Sequence, residues 1–366
     1  MTHVQPLLTP ARLGHIDLPN RIVMASMTRG RTNDPGLVPT ALNAEYYAQR
    51  ASAGLILSEG TWPGAQAVGY VNAPGIFTDE QARGWGRVVK AVHDAGGRIL
   101  CQLGHVGAMS HPDYFDGEPP KGPSAVNPQQ RVFTPGGFKE TVTPRAMTLD
   151  DIGEALAQFR SAAARARTAG FDGVELHAHQ PYLIPQFLND SLNVRTDAYG
   201  GTDERRARFL FEALEQLIAA WGPGRVGIKL NPSLTNVGGF HATARTVSTY
   251  EHVFERLNDY PLAYVQLMRP APSTTRTPVD RFVGGALRYF RPRYRGSIIA
   301  NGGFDQVSGN AAVEEGLADA VSFAQPFIAN PDLVDRFQHG SPLAVAELST
   351  RYAGDARGYT DYPRAG

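Results

Sequence analysis

Between Asp172 and Tyr199 the sequence reads DGVELHAHQPYLIPQFLNDSLNVRTDAY, and His177, Gln180 and Tyr182 follow directly on the run Val174-Glu175-Leu176. A phenol with an ordinary pKa near ~10 is a poor nucleophile but a serviceable general acid. His177 and Gln180 are donors that can hold a carbonyl or phenolate oxygen while Tyr182 delivers a proton. The plainer alternative makes His177 structural and Tyr182 the cap of the next helix. Other residues invite chemistry too. Lys229 lies inside the apolar run VGIKL, where an unpaired ammonium is costly to bury. It either neutralises an anionic cofactor edge, forms a Schiff base, or points to solvent at a rim. Gln102, inside RILCQL, suits an amide reading a ligand's polar edge. Gly302 and Gly303 follow one apolar run, and Ala324 and Gln325 follow another. Glycines there let backbone N–H groups approach a phosphate.

These residues need strands to present them. Short runs rich in Val, Ile and Leu recur at Arg21–Ala25, Gly54–Ser58, Arg98–Leu103, Gly173–His177, Val226–Leu230, Ala263–Leu267, Ser297–Ala300 and Ala320–Phe323. Such runs suit strands buried on both faces. Between them lie helical patterns, three of which open on a capping threonine (Thr78, Thr148, Thr202) and close at glycine (Gly96, Gly170, Gly222). Eight strands alternating with helices imply a (β/α)8 TIM barrel, with chemistry at the C-terminal strand ends. The reading is one domain over residues 1–366. Two long excursions, Leu103 to Pro144 after the third strand and Met268 to Gly296 after the sixth, are expected to frame the site. Met24-Ala25-Ser26-Met27-Thr28, ending the first strand, adds small residues and a hydroxyl to the same mouth.

Composition narrows the function classes. Basic and acidic residues balance at 35 each, unlike the basic footprint of a nucleic-acid binder. Cys101 is the single cysteine, so no internal disulfide forms. No apolar run is long enough for a membrane span, and the start, MTHVQPLLTP, lacks the features of a signal peptide. The expectation is a cytoplasmic protein acting on a small molecule.

Nearly end to end, the chain resembles the old yellow enzyme family of FMN-dependent ene-reductases. The segments that carry the resemblance include NRIVMASMTR, GYVNAPGIFTDEQ, QLGHVG, FDGVELH, RTDAYGG, IIANGGF, PFIANPDL and GYTDYP. The resemblance implies FMN as cofactor, NADPH or NADH as reductant, and an α,β-unsaturated carbonyl compound as substrate. It places Ala25, Ser26, Met27 and Thr28 along the flavin, and Gly60 and Gln102 at the ring's polar edge. It gives Tyr182 the protonation of the substrate α-carbon, and His177 and Gln180 the grip on the activating carbonyl. Gly302, Gly303 and Ala324 fall at the phosphate end, and Tyr70 and Tyr352 on aromatic positions of the substrate pocket.

Several positions depart from the family's pattern. Gln180 stands where the family has Asn or His. Gly104 replaces a tryptophan and is expected to open the pocket, and Ala108 replaces an arginine. Lys229 replaces the arginine facing the flavin's N1–C2 carbonyl, keeping charge but losing the planar fork. Gln325 replaces the arginine that grips the FMN phosphate. These departures leave a second reading, a flavin-independent member using Tyr182, His177 and Lys229 for isomerisation or cyclisation. Lesser alternatives are a metal-dependent hydrolase built on His177 and His179, an aldolase built on Lys229, and a non-catalytic binding protein.

Overall fold

The computed structural model describes residues 5–32, 36–270, 274–282 and 285–365. Eight parallel strands close on themselves: β1 (Ile22–Met24), β2 (Leu55–Leu57), β3 (Ile99–Leu103), β4 (Gly173–Ala178), β5 (Val226–Leu230), β6 (Tyr264–Met268), β7 (Ile298–Asn301) and β8 (Ala320–Phe323). Each pairs with the next, and β8 returns to β1. The expected strands are all present, with ends shifted by one residue at most.

Alternation along each strand sends every second side chain into the barrel. At the floor the inward residues are apolar: Leu55, Leu57, Leu100, Tyr264, Ile299 and Ala320 cluster there. An antiparallel hairpin, Ala11–Leu13 with Ile16–Leu18, plugs this end with Leu13, Ile16 and Leu18. Two residues further along, the inward positions turn polar. Leu100 gives way to Gln102, Tyr264 to Gln266, Ala320 to Ser322, and Gly227 to Lys229. Glu175 lies in register with Gln102, and His177 with Lys229. The barrel therefore holds a dry floor beneath a polar layer, and the polar layer faces the mouth. Gly227 makes room for this stacking, since a Cβ there would come within 2.3 Å of the Tyr264 ring.

The outward strand residues pack against the surrounding helices in one large apolar cluster. Helix Asp79–Asp94 starts at Thr78, whose hydroxyl accepts from the Gln81 N–H at 3.1 Å while the Gln81 side chain answers in a capping box. Thr148 opens Leu149–Thr168 in the same way. Helix Asp203–Trp221 stops at Gly222, whose φ of 76° favours glycine.

The first excursion is ordered into small pieces, among them a hairpin of Arg131–Thr134 and Gly137–Glu140. Within the second, positions 271–273, 283 and 284 lie outside the described residues. The rest forms short turns and the helix Ala286–Phe290. No described helix is long and apolar enough to cross a membrane.

After the last helix, Leu333–His339, the chain returns across the mouth and is held there by two buried arginines that follow β1. Arg29 donates to the carbonyls of Arg351 (3.0 Å) and Gly358 (2.8 Å), and to the Tyr46 hydroxyl. Arg31 donates to the carbonyls of Thr350, Asp355 and Arg357. Tyr359 stacks on Tyr46 with ring centroids 3.9 Å apart. The C-terminal segment is thereby fixed as part of the mouth.

Candidate active site

Above the polar layer opens a cavity of about 350 Å³. Its base is Gln102, whose amide donates to the Ser26 hydroxyl at 2.6 Å and to a Glu175 oxygen at 2.7 Å. The other Glu175 oxygen accepts from the Tyr264 hydroxyl at 3.1 Å. Lys229 lies behind Ser26, its Nζ 3.5 Å from that hydroxyl. The ammonium is buried and does not reach solvent at a rim. Burial raises the Glu175 carboxyl, and the Lys229 charge opposes that rise. Burial pulls Lys229 down to about 8, against the pull of Glu175. A Lys–Glu pair thus lies under the cavity, with Gln102 and Ser26 between it and any ligand. Ser26, Met27, Thr28 and Gly60 line the wall. Ala25 does not: it is fully buried, and its N–H pairs with Phe323 at the barrel seam.

The end of β4 supplies the opposite wall. His177 and Tyr182 face each other nearly parallel, with ring centroids 4.8 Å apart, and His179 packs on His177 at 4.2 Å. Tyr182 occupies the N-cap position of helix Leu183–Leu188 without a side-chain capping bond. Its phenol is therefore free to line the cavity. Burial drives the His177 imidazole down to about 3 and His179 well below its ordinary value, with the Lys229 charge adding to both shifts. Both rings are neutral at physiological pH. The Nδ1 atom of each is buried without a partner, which leaves Nε2 as the nitrogen open to the cavity. Burial pushes the Tyr182 phenol up to about 12, so it holds its proton through neutral pH. Gln180 also lines the cavity, but its residue is exposed at the mouth.

The loop after β4 is tied to the loop after β3 through one buried side chain. Gln186 donates to the carbonyls of Val106 and Pro181, each at 2.9 Å, and accepts from the Ala108 N–H at 3.0 Å. The Leu183 N–H adds a bond to the His105 carbonyl. Gly104 lies against His177: a Cβ there would sit 3.2 Å from the His177 Cβ. Its bareness therefore gives the imidazole room as well as widening the pocket. Tyr70 closes the far side between Tyr352 and Phe133, with centroids 6.1 Å from each. Phe133 brings the first excursion to this rim. Beyond Met268, the described residues of the second excursion line neither this cavity nor its neighbour.

That neighbour is a cavity of about 740 Å³ running out beneath the C-terminal segment. Ala324, Gln325 and Arg351 line both spaces and join them. Its inner wall is Gly302 and Gly303, with φ of 101° and 67°, conformations that favour glycine and leave the backbone bare for close approach of a ligand. A broad polar-based space leading to a glycine-lined one suits a flat heterocycle with a phosphorylated tail, so the residues present fit FMN.

Sequence reasoning overlooked Glu175 and Arg351. A carboxylate between Val174 and Leu176 in a buried strand was a usable signal. Arg351 gave none, because it reaches the site from a segment far along the chain. Among the described residues, no group of three or more potential ligands forms a metal cluster around His177 and His179.

Residues 6–344 match the NADH:flavin oxidoreductase / NADH oxidase family. The chain is 39% identical over 362 residues to a protein named putative 12-oxophytodienoate reductase 3 from Oryza sativa subsp. japonica, covering 98% of this chain and 92% of the relative. Among solved structures, morphinone reductase in complex with tetrahydroNAD is 42% identical and superposes with a TM-score of 0.91, covering 98% of each chain. An old yellow enzyme homologue from Zymomonas mobilis is 38% identical, with a TM-score of 0.91 over 98% of this chain and 99% of the other.

Proposed function

The chain belongs to the NADH:flavin oxidoreductase / NADH oxidase family as an old yellow enzyme, an FMN-dependent ene-reductase, and from that premise we propose how its own residues carry the reaction. The substrate is a small α,β-unsaturated carbonyl compound, in keeping with relatives named for 12-oxophytodienoate and morphinone. FMN held here would supply the redox chemistry, with NADH or NADPH as the hydride source and the substrate's C=C bond as the acceptor. Ser26, Met27, Thr28, Gly60 and Gln102 would hold the ring. Lys229 would set positive charge behind its polar edge, and Gly302, Gly303, Ala324 and Gln325 would surround its tail.

The observation that carries this reading is the pairing of buried His177 with half-buried Tyr182, ring to ring at 4.8 Å on one wall of the cavity. The neutral His177 donates from Nε2 to the substrate carbonyl, which draws electron density from the C=C bond. A donor aimed at a developing enolate oxygen contributes ~2.7–4 kcal/mol to the transition state. Tyr182, still protonated, delivers its proton to the α-carbon. Tyr70, Tyr352 and the space beside Gly104 orient the substrate's hydrocarbon body. The residues serve as one catalytic unit.

The flavin-independent reading finds no support in relatives that are reductases by name. The visible spectrum tests the proposal. The purified protein should be yellow, bleach with NADPH or NADH, and regain colour on adding an enone. In Tyr182→Phe, bleaching should continue at its normal rate while recovery slows ~10²–10⁴-fold. Equal recovery in both proteins would remove Tyr182 from its role.

A further inference from the structure

The glycine-lined cavity lacks the cation expected beside it in the chain. After β8 the position is Gln325, neutral and exposed. Arg269 lies beside Gly302, its N–H donating to the Asn301 carbonyl, but its guanidinium lies over the Phe304 ring, 4.5 Å from the centroid. Asp305, on the same wall, adds negative charge and is engaged as the N-cap of helix Gln306–Glu314, accepting from the Ser308 N–H at 2.8 Å. Among the described residues, one cation remains on the wall of this cavity: Arg351, delivered from the C-terminal segment.

Arg351 is held at its base and unengaged at its tip. Its carbonyl accepts from Arg29 Nε at 3.0 Å, and its N–H donates to the Leu348 carbonyl. Its side-chain Nε is buried without a partner, and among the described residues its guanidinium makes no ion pair. A buried donor without a partner is rare in a native fold, and here it belongs to a group on the passage between the two cavities. Arg351 and the bare backbone of Gly302 and Gly303 line one space. Planar guanidinium forks bind phosphate through two parallel hydrogen bonds.

We propose that Arg351 binds the phosphate of the flavin nucleotide, supplying from the C-terminal segment the charge that Gln325 does not. The assignment rests on the reading that FMN occupies these joined cavities. The charge has moved from the loop after β8 to a strand of chain clamped by Arg29 and Arg31. Phosphate binding and docking of that segment are then coupled.

The test compares FMN with riboflavin, which shares the ring but lacks the phosphate. Full-length protein is titrated with each, following the quenching of flavin fluorescence. In Arg351→Gln, the Kd for FMN should rise about 10- to 100-fold, the loss of one charge-assisted contact, while the Kd for riboflavin stays the same. Arg351→Lys should recover part of the loss, and Gln325→Arg added to Arg351→Gln should recover most of it. An FMN Kd unchanged in Arg351→Gln, or FMN and riboflavin weakened equally, would overturn the assignment. Wild-type protein that binds neither flavin would overturn the FMN reading itself, and the assignment with it.

Discussion

Burial fixes the protonation of the groups around the cavity, and each setting has a measurable consequence. With His177 driven down to about 3 and Tyr182 up to about 12, neither changes state between about pH 5 and 9. Stopped-flow rates of flavin reoxidation by an enone should therefore show no limb from either group over that range. A severalfold change that persists in Lys229→Arg would mean that one of these groups titrates there. Lys229 behaves differently. Its folded pKa is lowered to about 8, so the cation is present below that value and lost as the pH rises through it. Flavin affinity should weaken along that limb, and Lys229→Arg, with a fixed charge, should abolish it; an unchanged limb in that variant would assign the titration elsewhere. The second donor to the carbonyl is a contest between Gln180, exposed at the mouth, and His179, buried on His177. A desolvated donor is worth more than one that competes with water. His179→Ala should therefore cost more in kcat than Gln180→Ala. The reverse order would return the role to the amide.

At the level of elements, the loops after β3 and β4 act as one piece because Gln186 bonds to both. Gln186→Leu would leave the Pro181 carbonyl and the Ala108 N–H without partners and strip one of two bonds from the Val106 carbonyl, and should cost about 2–4 kcal/mol. Urea denaturation would read this as a lower midpoint at unchanged slope; no shift would mean that the loops are held by other contacts. The strands themselves were legible in the sequence, since VGIKL and AVSF are buried over their full length and need no context to be recognised. The capped helices were legible for the same local reason: a threonine hydroxyl and an N–H three residues on are close in chain and in space. His177 and Tyr182 were placed together by their spacing on one strand end. What lay beyond local reading was set by closure of the barrel. Glu175 meets Gln102 only through strand register, and the charge that offsets the burial of Lys229 is Glu175, from the neighbouring strand. Gly104 was expected to widen a pocket, and its contact with His177 follows from two strands lying side by side. The second excursion was expected at the mouth, but its described residues past Met268 pack away from both cavities.

Across the whole molecule, the clamp of Arg29 and Arg31 joins the first strand's loop to residues more than 300 positions later. Arg29→Ala removes donors to Arg351, Gly358 and Tyr46 together. Even a loss of about 1.4 kcal/mol multiplies the undocked population about tenfold. Limited trypsin digestion should then cut at Arg351 or Arg357 at least that much faster, with the barrel left intact. Equal digestion rates would show that the Tyr46–Tyr359 stack holds the segment by itself. The clamp also sets an order of events during synthesis. All eight strands are translated before Arg351 and Tyr352, and chains begin to fold from the N-terminal side as they emerge. One side of the pocket is therefore the last part of it to be made. Uptake of flavin then becomes a report on translation: a nascent chain turns yellow only when its last stretch has been read and has swung back to the loop that was among the first to appear.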